Sequence, residues 1–201
     1  MLIFLPMDRI SSAAVFCASS TPEDGRLLEA ASALGAFLAN EGITLVYGGG
    51  SLGLMGAAAR ACRDAGGKVH GVLPEIFNRP DVRKDEVCTE LEIVPDMHER
   101  KRRMYALAQA YIILPGGIGT LEEFFEIYTW KQIGYHSKNI ILYNAGGFYT
   151  TLLSFLDEVA RAGLMSEAVR RGLLVANTLD EVREALHTPQ QALPDKIVHT
   201  R

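Results

Sequence analysis

The sequence predicts an α/β protein built on a doubly wound parallel β-sheet with helices on both faces. Three observations lead there. Short apolar runs rich in β-branched and aromatic residues alternate with longer amphipathic stretches. Two glycine-rich turns, residues 47–56 and 114–120, each join such a run to a helical pattern. The 201 residues, 48% hydrophobic and 22% charged, suit one ordinary globular domain spanning 1–201. Alternation of this kind requires parallel strands linked by right-handed crossovers.

In chain order, "AAVFCAS" at 13–19 is the first strand and 23–40 its helix. "ITLVYG" at 43–48 leads through the first glycine turn into a helix over 54–65, and "KVHGVL" at 68–73 is the third strand. Residues 74–95 lack clean periodicity and read as a functional loop, with a further strand in "LEIV" at 91–94. A helix over 97–109 precedes "YIILPG" at 111–116, the second glycine turn opens a helix over 120–133, and "NIILYN" at 139–144 follows. Helices over 148–162 and 179–186 flank a last strand, "GLLVAN" at 172–177. Residues 1–11 and 188–201 show no periodicity and are expected to be loosely held extensions.

A net charge of −4 and a pI near 5.7 argue against a nucleic-acid binder, so any anion site must be local. Cys17, Cys62 and Cys88 have neither CxxC spacing nor an even count, which fits a reducing cytoplasm rather than a disulfide framework. The opening "MLIFLP" is too short for a signal or a membrane span. No His/Cys/Asp/Glu cluster has metal-site spacing, and neither metal nor cofactor is expected.

"YGGGSLGLMG" places free amides and a helix dipole after a strand, an arrangement suited to phosphate. Gly48, Gly50 and Gly53 also satisfy G-x-G-x-x-G with Glu75 downstream, so a dinucleotide remains an alternative, as does a purely packing role for the glycines. "PGGIGT" adds the amides of Gly117 and Gly119 and the Thr120 hydroxyl, without the lysine of a P-loop. On the following helix, Leu121, Phe124, Phe125 and Tyr128 form the stripe expected to pack on the sheet. Glu123, Ile127 and Trp130 form a second face, expected to meet another subunit, with Glu123 at a cleft. Glu122 reads as dipole compensation.

In "PDMHERKRRM", Asp96 and Glu99 mark the start of a helix at Met97. Cations crowded near a helix N-terminus oppose its dipole; Arg100 falls inside the inward sector and Lys101 on its edge, and an inward arginine calls for an internal acid or a ligand anion.

"YGGGSLGLMG", "MHERK", "PGGIGTLEE" and "TW" at 129–130 resemble, over about residues 13–165, the Lonely Guy (LOG) family. These are the cytokinin riboside 5'-monophosphate phosphoribohydrolases, which long carried the name lysine decarboxylase. The resemblance implies a Rossmann-like homodimer with active sites at the interface. It implies hydrolysis of the N-glycosidic bond of a nucleoside 5'-monophosphate, giving free base and ribose 5-phosphate, with AMP and cytokinin nucleotides as candidate substrates. By position it implies Arg100 and Glu123 as the catalytic pair. Lys101, Gly116, Gly117, Ile118, Gly119, Thr120, Leu121, Glu122 and Thr129 are implied to bind substrate, with Ser19, Gly48, Gly49, Gly50, Ser51, Met55 and Asp81. Ala18 stands where relatives carry glycine, and Gln109 where an aspartate is common. Related Rossmann-like proteins that bind nucleotides or molybdenum cofactor without hydrolysing them supply the alternative, a non-catalytic carrier.

Overall fold

The computed structural model describes residues 10–83 and 85–193. Seven strands form one parallel sheet in the order β4-β3-β2-β1-β5-β6-β7: β1 Ser12–Phe16, β2 Thr44–Tyr47, β3 Val69–Pro74, β4 Glu90–Val94, β5 Ala110–Ile113, β6 Asn139–Tyr143 and β7 Leu173–Ala176. Ala13 registers with Leu45 on one side and with Ala110 on the other. The winding therefore reverses at β1, and the crevice between the loops after β1 and β5 is the topological switch point where such sheets bind ligands.

The helices are α1 Gly25–Asn40, α2 Gly53–Asp64, α3 Met97–Leu107, α4 Ile118–Gln132, α5 Thr150–Arg161, α6 Glu167–Arg171 and α7 Leu179–His187. Strand side chains alternate between two cores. Ala13, Val15, Leu45, Tyr47 and Ile112 face α1, α2 and α7, whereas Ala14, Phe16, Val46, Tyr111 and Ile113 face α3 to α6. Strands β3 and β6 are buried along their whole length because both faces of the sheet are covered.

The expected loop at 74–95 contains two short 3-10 turns, Glu75–Phe77 and Asp85–Val87, before its strand. Helix α6 escaped the sequence pattern because its 5 residues are too few to show a period, although Ser166 caps it by accepting from the Val169 amide.

Two expectations about α4 are corrected. Phe125 is 38% exposed rather than packed on the sheet, and Glu123 and Ile127 are buried by this chain itself, at 4% and 0% exposure. Helix α3 lies beside α4, so two neighbours cover it and its buried sector turns toward Glu123 and Ile127. Trp130 rests on Tyr105, with ring centroids 4.7 Å apart.

The expectation of loose ends falls mainly on residues 1–9 and 194–201, outside those described. The described flanks are tied down: Thr44 donates to the Ser11 carbonyl, and Asn139 donates to the Thr188 carbonyl. Gln109 accepts from Ser11, and its carbonyl accepts from the Gln190 side chain.

Helices α1 and α2 meet at Gly35, where a Cβ would lie 2.0 Å from the Ala58 carbonyl oxygen. Gly35→Ala is expected to force the helices apart and destabilise the fold by about 1–3 kcal/mol. Urea denaturation should show a lower midpoint with an unchanged m-value.

Candidate active site

Three loops build the floor of a cleft at the switch point. The Ala18 amide donates to the Pro115 carbonyl, and the Met55 amide donates to the Ala18 carbonyl, tying the loop after β1 to those opening α4 and α2. No non-glycine residue among those described has positive φ, so Ala18 makes these bonds without the freedom of a glycine. Gly53 does need that freedom: its φ is 56°, and a Cβ there would strike the Ser20 carbonyl oxygen at 2.3 Å.

Above this floor lies a cavity of about 340 Å3. Of the expected site residues, Ser19, Met55, Arg100, Gly117, Ile118 and Gly119 line it, together with Thr120, Glu122 and Glu123. Cys17, Ala18, Ser20 and Met97 also line it and were not anticipated. Two signals pointed to them: residues 17–20 follow the strand at which the winding reverses, and Met97 sits one helical turn before Arg100. Clefts of about 390 and 470 Å3 open near Thr188 and Pro189, but neither is lined by a carboxylate.

The end of the cavity belongs to α4. Its N-cap, Gly117, offers no side chain, and the first helical bond runs from the Leu121 amide to the Gly117 carbonyl. The amides of Ile118, Gly119 and Thr120 consequently have no partner within the helix, and the dipole adds positive potential. A Cβ at Gly117 or Gly119 would meet nothing within 4 Å, so space for an anion stands open there. Gly116 serves differently: the Thr120 side chain packs over it, 2.1 Å from where a Cβ would be.

Arg100 and Glu123 meet at the inner wall. Asp96 caps α3 by accepting from the Glu99 amide, which places Arg100 in the first turn and points it inward. Arg100 Nη2 donates to Glu123 Oε1 at 3.0 Å, and Nη1 approaches Met97 Sδ at 3.6 Å. Arg100 Nε is buried without a partner. The side chains are only 9% and 5% exposed, so each charge depends on the other for compensation. Burial drives the Glu123 carboxyl up to about 7; the Arg100 guanidinium opposes this, Glu122 adds to it, Lys101 opposes it, and Glu126 adds to it. Burial, and then Glu123, also push the Cys17 thiol upward, leaving it protonated and unreactive.

The other expected residues lie elsewhere. Gly48 is the bed of Arg100: a Cβ would stand 2.3 Å from Arg100 Nη2. Gly49 turns at φ 76° against Leu73, and Gly50 is half-buried, so the first glycine loop underlies the cleft rather than lining it. The Ser51 amide and hydroxyl both donate to the Val82 carbonyl, at 2.8 Å each, and are not free for an anion. Lys101 is held by Glu122 and Glu126. Leu121, on α4, is half-buried and packs against the core between the sheet and α3 to α6. Asp81 pairs with Arg79 at 3.4 Å with its side chain 69% exposed, and Thr129 is exposed on the outer face of α4.

Among the described residues no helix is long and apolar enough to cross a membrane.

A family profile described as "Possible lysine decarboxylase" matches residues 55–186. A probable cytokinin riboside 5'-monophosphate phosphoribohydrolase of Oryza sativa subsp. japonica is 42% identical over 178 residues, covering 89% of this chain and 84% of the relative. A cytokinin riboside 5'-monophosphate phosphoribohydrolase of Rhodococcoides fascians is 39% identical, covering 89% and 90%. Among solved structures, the molybdenum cofactor carrier protein of Chlamydomonas reinhardtii superposes with a TM-score of 0.66 at 23% identity, covering 90% of this chain and 100% of that one. The molybdenum cofactor binding protein of Rippkaea orientalis gives 0.62 at 21%, covering 86% and 91%. At such identities the likeness establishes the shared Rossmann-like fold alone.

Glu123 binds its proton more tightly folded than unfolded, so its contribution to stability is complete below about pH 4.5 and lost as pH rises through about 7. Relative to Glu123→Gln, the wild type should lose on the order of a few kcal/mol across that window, measured by denaturation at successive pH values.

Proposed function

The chain belongs to the Lonely Guy (LOG) family of cytokinin riboside 5'-monophosphate phosphoribohydrolases, and on that footing we propose that it hydrolyses the N-glycosidic bond of nucleoside 5'-monophosphates. The observation that carries the proposal is the buried Arg100–Glu123 pair, set in the wall of a cavity whose far end is a helix N-terminus with open amides.

The 5'-phosphate sits on the amides of Ile118, Gly119 and Thr120, and the ribose is directed toward Glu123. As the C1'–N bond lengthens, its electron pair leaves with the base and positive charge grows on the sugar. The ionised Glu123 carboxylate stabilises that charge more than it stabilises the ground state. Water adds its oxygen at C1' and gives one proton to Glu123, the departing base takes a proton from solvent, and Glu123 returns its own to solvent before the next turnover. Free base and ribose 5-phosphate result. Arg100 keeps Glu123 in place and sufficiently acidic to ionise near neutrality. AMP and N6-isopentenyl-AMP are the substrates to compare. The carrier alternative has the shared fold in its favour, and a carrier would not need a carboxylate pinned by an arginine in its cleft.

We further propose a homodimer formed on the outer face of α4, where Ile118 is 82% and Phe125 38% exposed. Thr129 shares that face, so a second copy would bring it toward a cavity it does not reach within its own chain. The odd count of three cysteines accords with a reducing, cytoplasmic setting.

Glu123→Gln and Arg100→Ala should each release adenine from AMP at least about 100-fold more slowly than wild type while retaining the fold, as followed by chromatography of the free base. The kcat/KM profile of the wild type should rise with pH and level off above about 7, where Glu123 is ionised. Phe125→Asp should shift the protein toward monomer in sedimentation velocity and weaken turnover.

A further inference from the structure

Three carboxylates crowd the second and third turns of α4. Glu122 and Glu126 are four residues apart on one face, a like-charge spacing that disfavours a helix, and Glu123 lies between them in sequence. Lys101 sits among them. Its Nζ is 2.5 Å from Glu122 Oε1 and 3.1 Å from Glu126 Oε2, with the side chain 10% exposed. The Tyr105 hydroxyl, one turn further along α3, also donates to Glu126. Burial works against the Lys101 ammonium, yet its bonds to Glu122 and Glu126 raise it above its ordinary value. Lys101 is absent from the cavity lining.

We propose that Lys101 is a positioning residue of the hydrolytic site. It neutralises the carboxylates that flank Glu123 and fastens α3 to α4, so that Arg100 serves Glu123 alone. The inference rests on Glu123 being the reacting carboxylate.

The groups that act on Glu123 come from three elements. Arg100, Lys101 and Tyr105 come from α3, Glu122 and Glu126 from α4, and Cys17 from the end of β1. Burial, together with Glu126 and Glu123, holds the Tyr105 hydroxyl in its neutral form, and the Cys17 thiol is neutral as well. The charges that remain are two cations against three carboxylates. Without Lys101, Arg100 would face all three, and Glu123 would ionise only at higher pH. A lysine bound to the nucleotide instead would leave the carboxylates uncompensated and would alter KM.

The test is a 13C NMR titration of the Glu123 carboxyl in the wild type, Lys101→Met, Lys101→Arg and the double variant Lys101→Met/Glu126→Gln, with KM for AMP measured alongside. Lys101→Met should move the Glu123 midpoint upward by up to about one pH unit, and KM should stay within about twofold. Lys101→Arg should keep the wild-type midpoint, and the double variant should return most of the way to it. An unmoved midpoint with a raised KM would overturn the proposal in favour of nucleotide contact. An unmoved midpoint with only a lowered melting temperature would overturn it in favour of a structural strut. Should Lys101→Met fail to fold, Glu126→Gln alone must lower the midpoint, and a failure to do so counts against the proposal. Expected midpoint shifts without base release from AMP by the wild type would overturn the hydrolase assignment, and with it the catalytic sense of the Lys101 proposal, leaving only the electrostatic link between Lys101 and Glu123.

Discussion

The ion pair between Arg100 and Glu123 is the constraint to which the rest of the cleft conforms. Neither charge could be buried alone without losing several kcal/mol of hydration, so the two helices carrying them must converge. The Asp96 cap sets where α3 begins, Gly48 leaves room for the guanidinium, and α4 must present Glu123 inward although acidic residues favour the surface. The sheet supplies the framework: α3 leads into β5 and α4 follows it, and the reversal of winding between β1 and β5 keeps a crevice open at the pair's edge. The arrangement costs stability at neutral pH, because a carboxyl that prefers its proton is held where it must lose it.

Most of the framework was legible in the residues. The strand runs were apolar enough, and the glycine turns placed sharply enough, that all seven strands could be located within a few residues. The inward aim of Arg100 followed from helical spacing and from the mismatch between its charge and the helix dipole. What spacing could not supply was which of the two faces of α4 meets the sheet. Leu121, Phe124, Phe125 and Tyr128 suggested one sector, but α3 packs alongside and the buried sector turns toward Glu123 and Ile127. That is a property of tertiary packing, invisible to the period of a single helix.

The glycines of the two loops show the same limit. Sequence alone marks both as anion cradles. In the structure only the turn opening α4 faces the cavity, while Gly48 and Gly53 accommodate Arg100 and the loop after β1. Ser51 is engaged with Val82. One glycine loop thus shapes the floor and the other offers the amides, a division of roles that identical-looking motifs conceal. The fold is shared with molybdenum cofactor carriers, so function resides in the residues set into it rather than in the sheet.

The most direct measurement is a crystal structure of the Glu123→Gln protein soaked with AMP. The account requires the phosphorus atom at the amides of Ile118 to Thr120 and the anomeric carbon beside residue 123, within reach of a water molecule. Electron density that places the phosphate away from the start of α4, or the ribose turned from residue 123, would contradict it.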